Sequence, residues 1–377
     1  MNPLRRALLL SWAAAAGAPV AAATPSEATA SATPVRRGRA LVFPRDHGAH
    51  LNARIEWWYA TGWLGQPEAP KSGFQLTFFR SRTGLAADNA SRFAPRHLLM
   101  AHAAVTRFDE TGAARHHHEQ RLVRWSGSPG SALGWASEED ADIRVGNWSL
   151  RRLGPTWHAR LPGRDFDLDL SLTRSQPLLL QGDAGFSRKG PDEAQASHYY
   201  SEPQLAVRAA DGSSGSAWLD HEWSEQLLHP QAVGWDWLGI NIFDGSALTA
   251  FQLRRADGSR LWAGGSFRAA AAPGSTSSMG SFGTAPRIFA PAELQMTPGR
   301  RWRSPATGGN YPLQWTLDSP AGRFEVRALA DAQELDGRHS SGTVYWEGLS
   351  ELLDSAGRRV GLGYLEMTGY DAPMRLI

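Results

Sequence analysis

The residues best suited to chemistry sit close together in this chain. Ala217-Trp218-Leu219-Asp220-His221-Glu222-Trp223-Ser224 is followed, after a short gap, by Gly234-Trp235-Asp236-Trp237. Carboxyls and an imidazole among large aromatic rings suit a site that holds an apolar ligand and moves a proton on it. His221 exchanges a proton near neutrality, Asp220 or Glu222 can orient it, and Asp236 is the next acid along. Trp218, Trp223, Trp235 and Trp237 supply the rings. On a strand, Asp220 and Glu222 point to one face and His221 and Trp223 to the other. The reading favours His221 and Trp223 as the pair that faces a cavity. The same residues also suit a packed β-core in which a buried histidine and carboxylate satisfy backbone groups.

Other clusters carry ionisable groups. Asp46, His47, His50 and Glu56 lie near the start of the folded region. Two imidazoles and a carboxylate can ligate a metal, but this spacing fits no zinc pattern, so hydrogen bonding to the strand beginning at Ile55 is expected, and no metal. His198-Tyr199-Tyr200 forms another cluster, and Tyr345-Trp346-Glu347 pairs with Gly363-Tyr364-Leu365-Glu366-Met367-Thr368-Gly369-Tyr370. His116-His117-His118 reads as a solvated loop. The chain has no G-x-S-x-G elbow, no H-E-x-x-H and no glycine-rich phosphate loop, which leaves α/β-type serine hydrolysis, zincin chemistry and nucleotide cofactors without support. No cofactor is expected.

The elements that must position these residues read as strands. Ile55 to Leu64 is aromatic and β-branched, and Gly73 to Arg80 alternates Phe74, Leu76 and Phe78 with Gln75, Thr77 and Phe79. His97 to Phe108 and Phe166 to Thr173 follow the same logic. Asp244-Gly245 and Asp257-Gly258 mark hairpins between apolar runs. Strand candidates recur about every 10 residues, and helical periodicity is confined to a turn or two near Ser224 to Leu228. The pattern predicts an all-β chain of antiparallel sandwich or barrel units with short helical insertions. A division near residue 200 separates two such units, 41–200 and 201–377.

Composition sets further bounds. The 377 residues have a formal net charge of only +2 with scattered basic side chains, so no nucleic-acid footprint is present. Sixteen tryptophans are many for this length and point to aromatic-lined cavities or sheet faces. The absence of cysteine excludes disulfides, thiolate sites and a lipid-modified N-terminal cysteine. Arg5-Arg6, the apolar run Ala7–Ala16 and Ala21-Ala22-Ala23 read as a signal peptide over residues 1–23, by the Sec route ahead of the twin-arginine one. Residues 24–40 read as a flexible leader. A periplasmic or secreted location is expected.

Phe43-Pro44-Arg45-Asp46-His47-Gly48-Ala49-His50, Glu56-Trp57-Trp58-Tyr59, Gly73–Arg80, Ala217–Trp223, Gly234–Trp237 and Gly363–Tyr370, in that order, resemble the AttH-like lipocalin-like proteins, relatives of carotenoid 1,2-hydratase. The resemblance implies two tandem lipocalin-like antiparallel β-barrels, export from the cytoplasm, and in many cases association with an ABC-type export system. Members are often labelled hydrolases without a defined substrate. Hydratase relatives add water to an isolated C=C, which calls for a strong acid, aromatic faces against a carbocation and a controlled water. Their acid–base set is a His-x-Trp pair and a downstream Tyr-x-Asp pair. His221-Glu222-Trp223 fits the first, whereas Leu248-Thr249-Ala250-Phe251-Gln252-Leu253 carries neither Tyr nor Asp where the second belongs.

The expected function is therefore binding of an apolar or amphipathic ligand, a lipid or isoprenoid, in a cavity of a few hundred cubic ångströms. The expected lining is Glu56, Trp57, Trp58, Tyr59, Tyr199, Trp218, Trp223, Trp235, Trp237, Tyr345 and Glu366. The alternative is a hydratase-type lyase or isomerase acting on a C=C, with His221, Asp220 and Asp236 as catalytic groups. A membrane ABC-type export complex is the candidate protein partner.

Overall fold

The computed structural model of the chain describes residues 35–84, 94–128, 130–226, 228–270 and 285–374. The expected signal peptide and most of the leader lie outside the described residues, as does most of the small-residue stretch 269–283.

Alternation dominates the architecture. One antiparallel sheet runs in the order Ala114–Trp125, His97–Phe108, Ala69–Arg82, Ile55–Gln66, Ser214–Ser224, Ala196–Ala209, Asp167–Thr173, Thr156–Pro162, Trp148–Leu153, Asp142–Val145, Gly134–Ala136. Its two ends meet, since Ala114–Trp125 touches Gly134–Ala136, and the sheet curls into a nearly closed barrel. A second antiparallel sheet runs Arg287–Phe289, Arg260–Arg268, Ala247–Arg254, Gly234–Ile242, Arg359–Thr368, Val344–Leu353, Gly322–Ala328, Gln314–Ser319, Gln295–Pro298 and forms a half-barrel. The fold is two lipocalin-like barrels in tandem. Gly245 and Gly258 have φ of 93° and 81°, the left-handed backbone that the tight turns at Asp244-Gly245 and Asp257-Gly258 require.

Three apolar layers result. Trp58, Phe74, Phe78, Trp148 and Trp157 fill the first barrel. Leu238, Ile240, Trp315, Trp346 and Leu365 fill the second. Tyr59, Trp63 and Trp218 from one sheet meet Trp237, Phe251 and Tyr364 from the other in a third layer between the two sheets. Strands at this junction are buried on both faces. One row of side chains enters the strand's own barrel, and the alternate row enters the shared layer.

The structure corrects several expectations. The sheets do not divide near residue 200. That position falls inside Ala196–Ala209, and the first sheet continues to Ser224 before the second begins at Gly234. The reason is pairing: Ser214–Ser224 runs antiparallel to Ile55–Gln66 from Ile55↔Ser224 to Leu64↔Gly215. The Ala217–Ser224 stretch therefore completes the first barrel. Helical insertions reduce, among the described residues, to one 3-10 turn at Arg45–His47. The His116–His118 triplet lies on the Ala114–Trp125 strand, where Val105↔His117 pairing takes up its backbone, and is not a loop.

Candidate functional site

A cavity of about 140 Å³ opens between the two sheets. This is smaller than the few hundred cubic ångströms expected, and it accommodates a small molecule or one end of a longer one. Trp57, Phe79, Met100, Trp235, Trp237, Phe251 and Leu253 give it apolar walls. Tyr59, Tyr199, Tyr345, Asp220, Glu222, Glu347, Glu366 and Lys189 bring polar groups to it.

Strand register explains this selection. Trp57↔Glu222 and Tyr59↔Asp220 are cross-strand pairs on the cavity side of the first sheet. The intervening pairs, Glu56↔Trp223 and Trp58↔His221, therefore point into the first barrel. In the second sheet Glu347↔Glu366 and Trp237↔Glu366 place two opposed glutamates and a tryptophan on the cavity side. A shift of one residue in any of these strands would exchange the two rows completely.

The cavity carboxyls have distinct surroundings. Asp220 Oδ1 accepts hydrogen bonds from the Ser201 hydroxyl (2.5 Å) and Trp218 Nε1 (2.7 Å), and Oδ2 accepts from the Tyr199 hydroxyl (2.6 Å). Burial still pushes the Asp220 carboxyl up to about 7. Glu222 accepts from Lys189 Nζ at 2.9 Å and from the Ser197 hydroxyl. The ammonium of Lys189 also lies 4.6 Å from the Tyr199 ring centre and 4.3 Å from that of Phe251. Glu366 accepts from Trp235 Nε1 at 3.1 Å, and burial, with the nearby Asp220 and Glu222 charges, raises it to about 8. Glu347 is 1% exposed, and the neutral Tyr59 hydroxyl is the donor that faces its carboxyl. Burial and the facing Glu366 hold it well above the usual carboxylate range. The hydroxyls of Tyr59, Tyr199, Tyr345 and Tyr364 are likewise raised by burial and remain protonated donors. Near neutral pH the site thus offers carboxylic acid protons beside electron-rich rings.

On the other face of the first sheet lies a buried polar cluster, of which Glu56 and Arg80 also border the cavity. Glu56 Oε1 accepts from His50 Nδ1 (2.7 Å) and His221 Nε2 (3.0 Å), and Oε2 accepts from Arg80 Nε (2.8 Å) and the His50 backbone N–H (2.9 Å). His50 Nε2 meets Asp46 Oδ1 at 3.0 Å. His221 Nδ1 contacts the Asp46 carbonyl at 3.1 Å. Its ring stacks on Trp58 at 4.7 Å between centroids, and His50 stacks on Trp223 at 3.6 Å. Burial alone would push Glu56 up. The Arg80 and His50 charges and the histidine hydrogen bonds outweigh it and hold Glu56 well below the usual range. Burial pushes the His221 imidazole down despite Glu56. His50, Glu56 and His221 bring their ligating atoms within 4.8 Å of one another. The Glu56 carboxylate is already saturated by Arg80 and two imidazoles, which makes this a closed hydrogen-bond cluster rather than an open set of donors.

The expected site residues therefore separate. Trp57, Tyr59, Tyr199, Asp220, Trp235, Trp237, Tyr345 and Glu366 converge on the cavity. Glu56 touches its wall while its carboxyl turns into the first barrel. His221, Trp223 and Trp58 belong to the enclosed cluster, opposite to the orientation favoured for His221 and Trp223. Trp218 packs beneath Asp220 and against Trp237. Asp236 faces the second barrel, held by Arg254 Nε and Gln252 Nε2 at 2.9 Å each, and cannot assist His221. Residues outside the expected set that line the cavity include Glu222, Glu347, Lys189, Phe79 and Phe251. Alternation from Tyr345 places Glu347 on the same face, and that signal was available in the sequence.

Comparison with known proteins gives a consistent assignment. The family model described as AttH-like matches residues 34–370. A crystal structure of a candidate AttH from Nitrosomonas europaea is 40% identical, covers 89% of this chain and 99% of its own, and superposes with a TM-score of 0.75. Kievitone hydratase from Nectria haematococca, 13% identical, shares the fold with a TM-score of 0.59 over 88% of this chain and 94% of its own. No curated protein matches the chain. With matched residues spanning both barrels, the chain belongs to the AttH-like family.

Proposed function

We propose that this protein binds an apolar or amphipathic small molecule, a lipid or isoprenoid, in the cavity between the sheets. The supporting observation is the convergence of Trp57, Trp235, Trp237, Phe79, Phe251 and Met100 on one open space. Tryptophans in the wall make intrinsic fluorescence a direct reporter. Titration with lipids, fatty acids and isoprenoids should change it saturably, and Trp57→Ala or Trp235→Ala should weaken binding about 10-fold, an effect near 1.4 kcal/mol. A flat titration with all three classes would remove this reading. Export to the periplasm or medium, and docking to a membrane ABC-type export complex, complete the proposal. Cell fractionation and pull-down from membranes test them.

A second reading is favoured by the neutral carboxyls: addition of water to, or migration of, a C=C in such a ligand. Glu366 or Glu347 donates its proton to the alkene carbon and becomes a carboxylate, and the adjacent cation is faced by tryptophan and tyrosine rings. Water then adds to the cation and returns one proton to the carboxylate. His221 takes no part, being enclosed in the first barrel. Incubation with acyclic carotenoids and related isoprenoids in heavy-oxygen water should label the product, and replacing both Glu347 and Glu366 by Gln should abolish labelling. Unlabelled, unchanged substrate would count against this reading and leave ligand binding standing.

A further inference from the structure

We propose that the ligand of the inter-sheet cavity carries an ammonium group, seated between Glu347 and Glu366 against the rings of Trp235 and Tyr345. The inference deepens the binding reading and rests on it.

Two cationic side chains line the cavity among the described residues, and each is taken: Arg80 pairs with Glu56 at 2.8 Å and Lys189 with Glu222 at 2.9 Å. Asp220 is satisfied by neutral donors from Tyr199, Ser201 and Trp218. Glu347 and Glu366 are left. They stand directly opposite each other in the ladder, and no cation of the protein pairs with either among the described residues. Glu366 receives one indole N–H, and Glu347, at 1% exposure, faces the neutral Tyr59 hydroxyl and no cation among the described residues.

Carboxyls facing each other with no cation between them are costly to ionise, and an apolar ligand would desolvate them further. An ammonium would supply what both lack. It would give N–H donors to the free oxygens and positive charge between two acids. The surrounding rings present negative faces to it. A neutral alcohol supplies donors but no charge, and a carboxylate adds repulsion. This assignment gives the glutamate pair the ionised state, the opposite of the state needed for alkene protonation, so the two readings can be separated by experiment.

The test uses the full chain and four ligands of equal chain length: octylamine, octyltrimethylammonium, octanol and octanoate, each titrated calorimetrically at pH 7 in two buffers of different ionisation enthalpy. Octylamine is expected to bind at least about 10-fold more tightly than octanol, with octanoate weakest and protons released as the glutamates ionise. Glu347→Gln and Glu366→Gln should each remove most of the preference for octylamine over octanol, with far-UV circular dichroism and thermal unfolding showing that the variants fold. Octyltrimethylammonium binding near the amine would assign the recognition to charge and rings, and markedly weaker binding would assign it to N–H donation; both support the proposal. Octanol binding as tightly as octylamine would overturn the proposal and leave the cavity as an apolar site. Failure of all four ligands to bind would overturn the proposal and the binding reading together. If a glutamine variant does not fold, the four-ligand comparison on the native protein still decides.

Discussion

Glu56 and Glu366 are both enclosed by aromatic residues, yet their surroundings drive them in opposite directions. Glu56 is held ionised by Arg80 and two imidazoles, whereas Glu366 is pushed up to about 8 by burial and neighbouring acids. Removing the Glu56 carboxylate in Glu56→Ala leaves Arg80 buried without its counter-ion, and should destabilise the fold by about 3–5 kcal/mol in urea denaturation. The two glutamates also contribute opposite pH dependence. The folded value of Glu366 lies above the unfolded value of about 4.3, so the native state binds that proton more tightly. Its contribution is full below about pH 4.3 and is lost as pH rises through about 8. Glu56 contributes above about pH 4.3 and is lost on acidification, because its folded value is depressed. Thermal scans between pH 5 and 8.5 should therefore show a decline that Glu366→Gln, which stays neutral, makes shallower. A variant that tracks the native protein across this window would refute the raised carboxyl.

The strands at the junction depend on close approach as well as alternation. A Cβ added at Gly73, on Ala69–Arg82, would lie 2.6 Å from the Tyr364 hydroxyl and 3.0 Å from Leu349 Cβ of the second sheet. Glycine is needed there so that the two sheets can meet, and no unusual backbone angle is involved. Gly73→Ala should force the sheets apart locally and cost about 1–3 kcal/mol, read as a lower urea midpoint with an unchanged slope. At this scale much was legible in advance. The strand His97–Phe108 and the hairpins at Asp244-Gly245 and Asp257-Gly258 follow from pattern and turn chemistry, and the structure has them. The histidine triplet was not legible, because a polar run on an edge strand has the composition of a loop.

Taken whole, the molecule is joined by more than apolar packing. His102 Nδ1 lies 2.7 Å from the Tyr345 hydroxyl, Thr106 donates to Gln333 at 2.9 Å, and Asn241 donates to the Ala217 carbonyl at 2.9 Å, all between sheets. Together with the layer around Trp63, Trp218, Trp237 and Tyr364, these contacts should make the barrels unfold as one unit. Far-UV circular dichroism and tryptophan fluorescence should give coincident thermal transitions, and two separated steps would show that each barrel stands alone.

The sequence by itself determined the class of structure, the family and most of the residues that meet at the site. Alternation with a period of two, turn residues and ordered aromatic motifs are local signals, and they survive without knowledge of the partner strand. Asp220, Tyr199, Trp235 and Glu366, which line the cavity, stood out in advance because acids among rings are conspicuous in any chain. Only the tertiary structure decided which of the two rows on Ser214–Ser224 faces the cavity. Both rows are polar and aromatic, and pattern alone cannot separate a strand's two buried faces. The register Trp58↔His221 and Tyr59↔Asp220 sends the histidine into the first barrel and the acid into the cavity. That single geometric fact keeps the His221 imidazole behind Trp58 and brings the Asp220 and Glu222 carboxyls to the cavity instead.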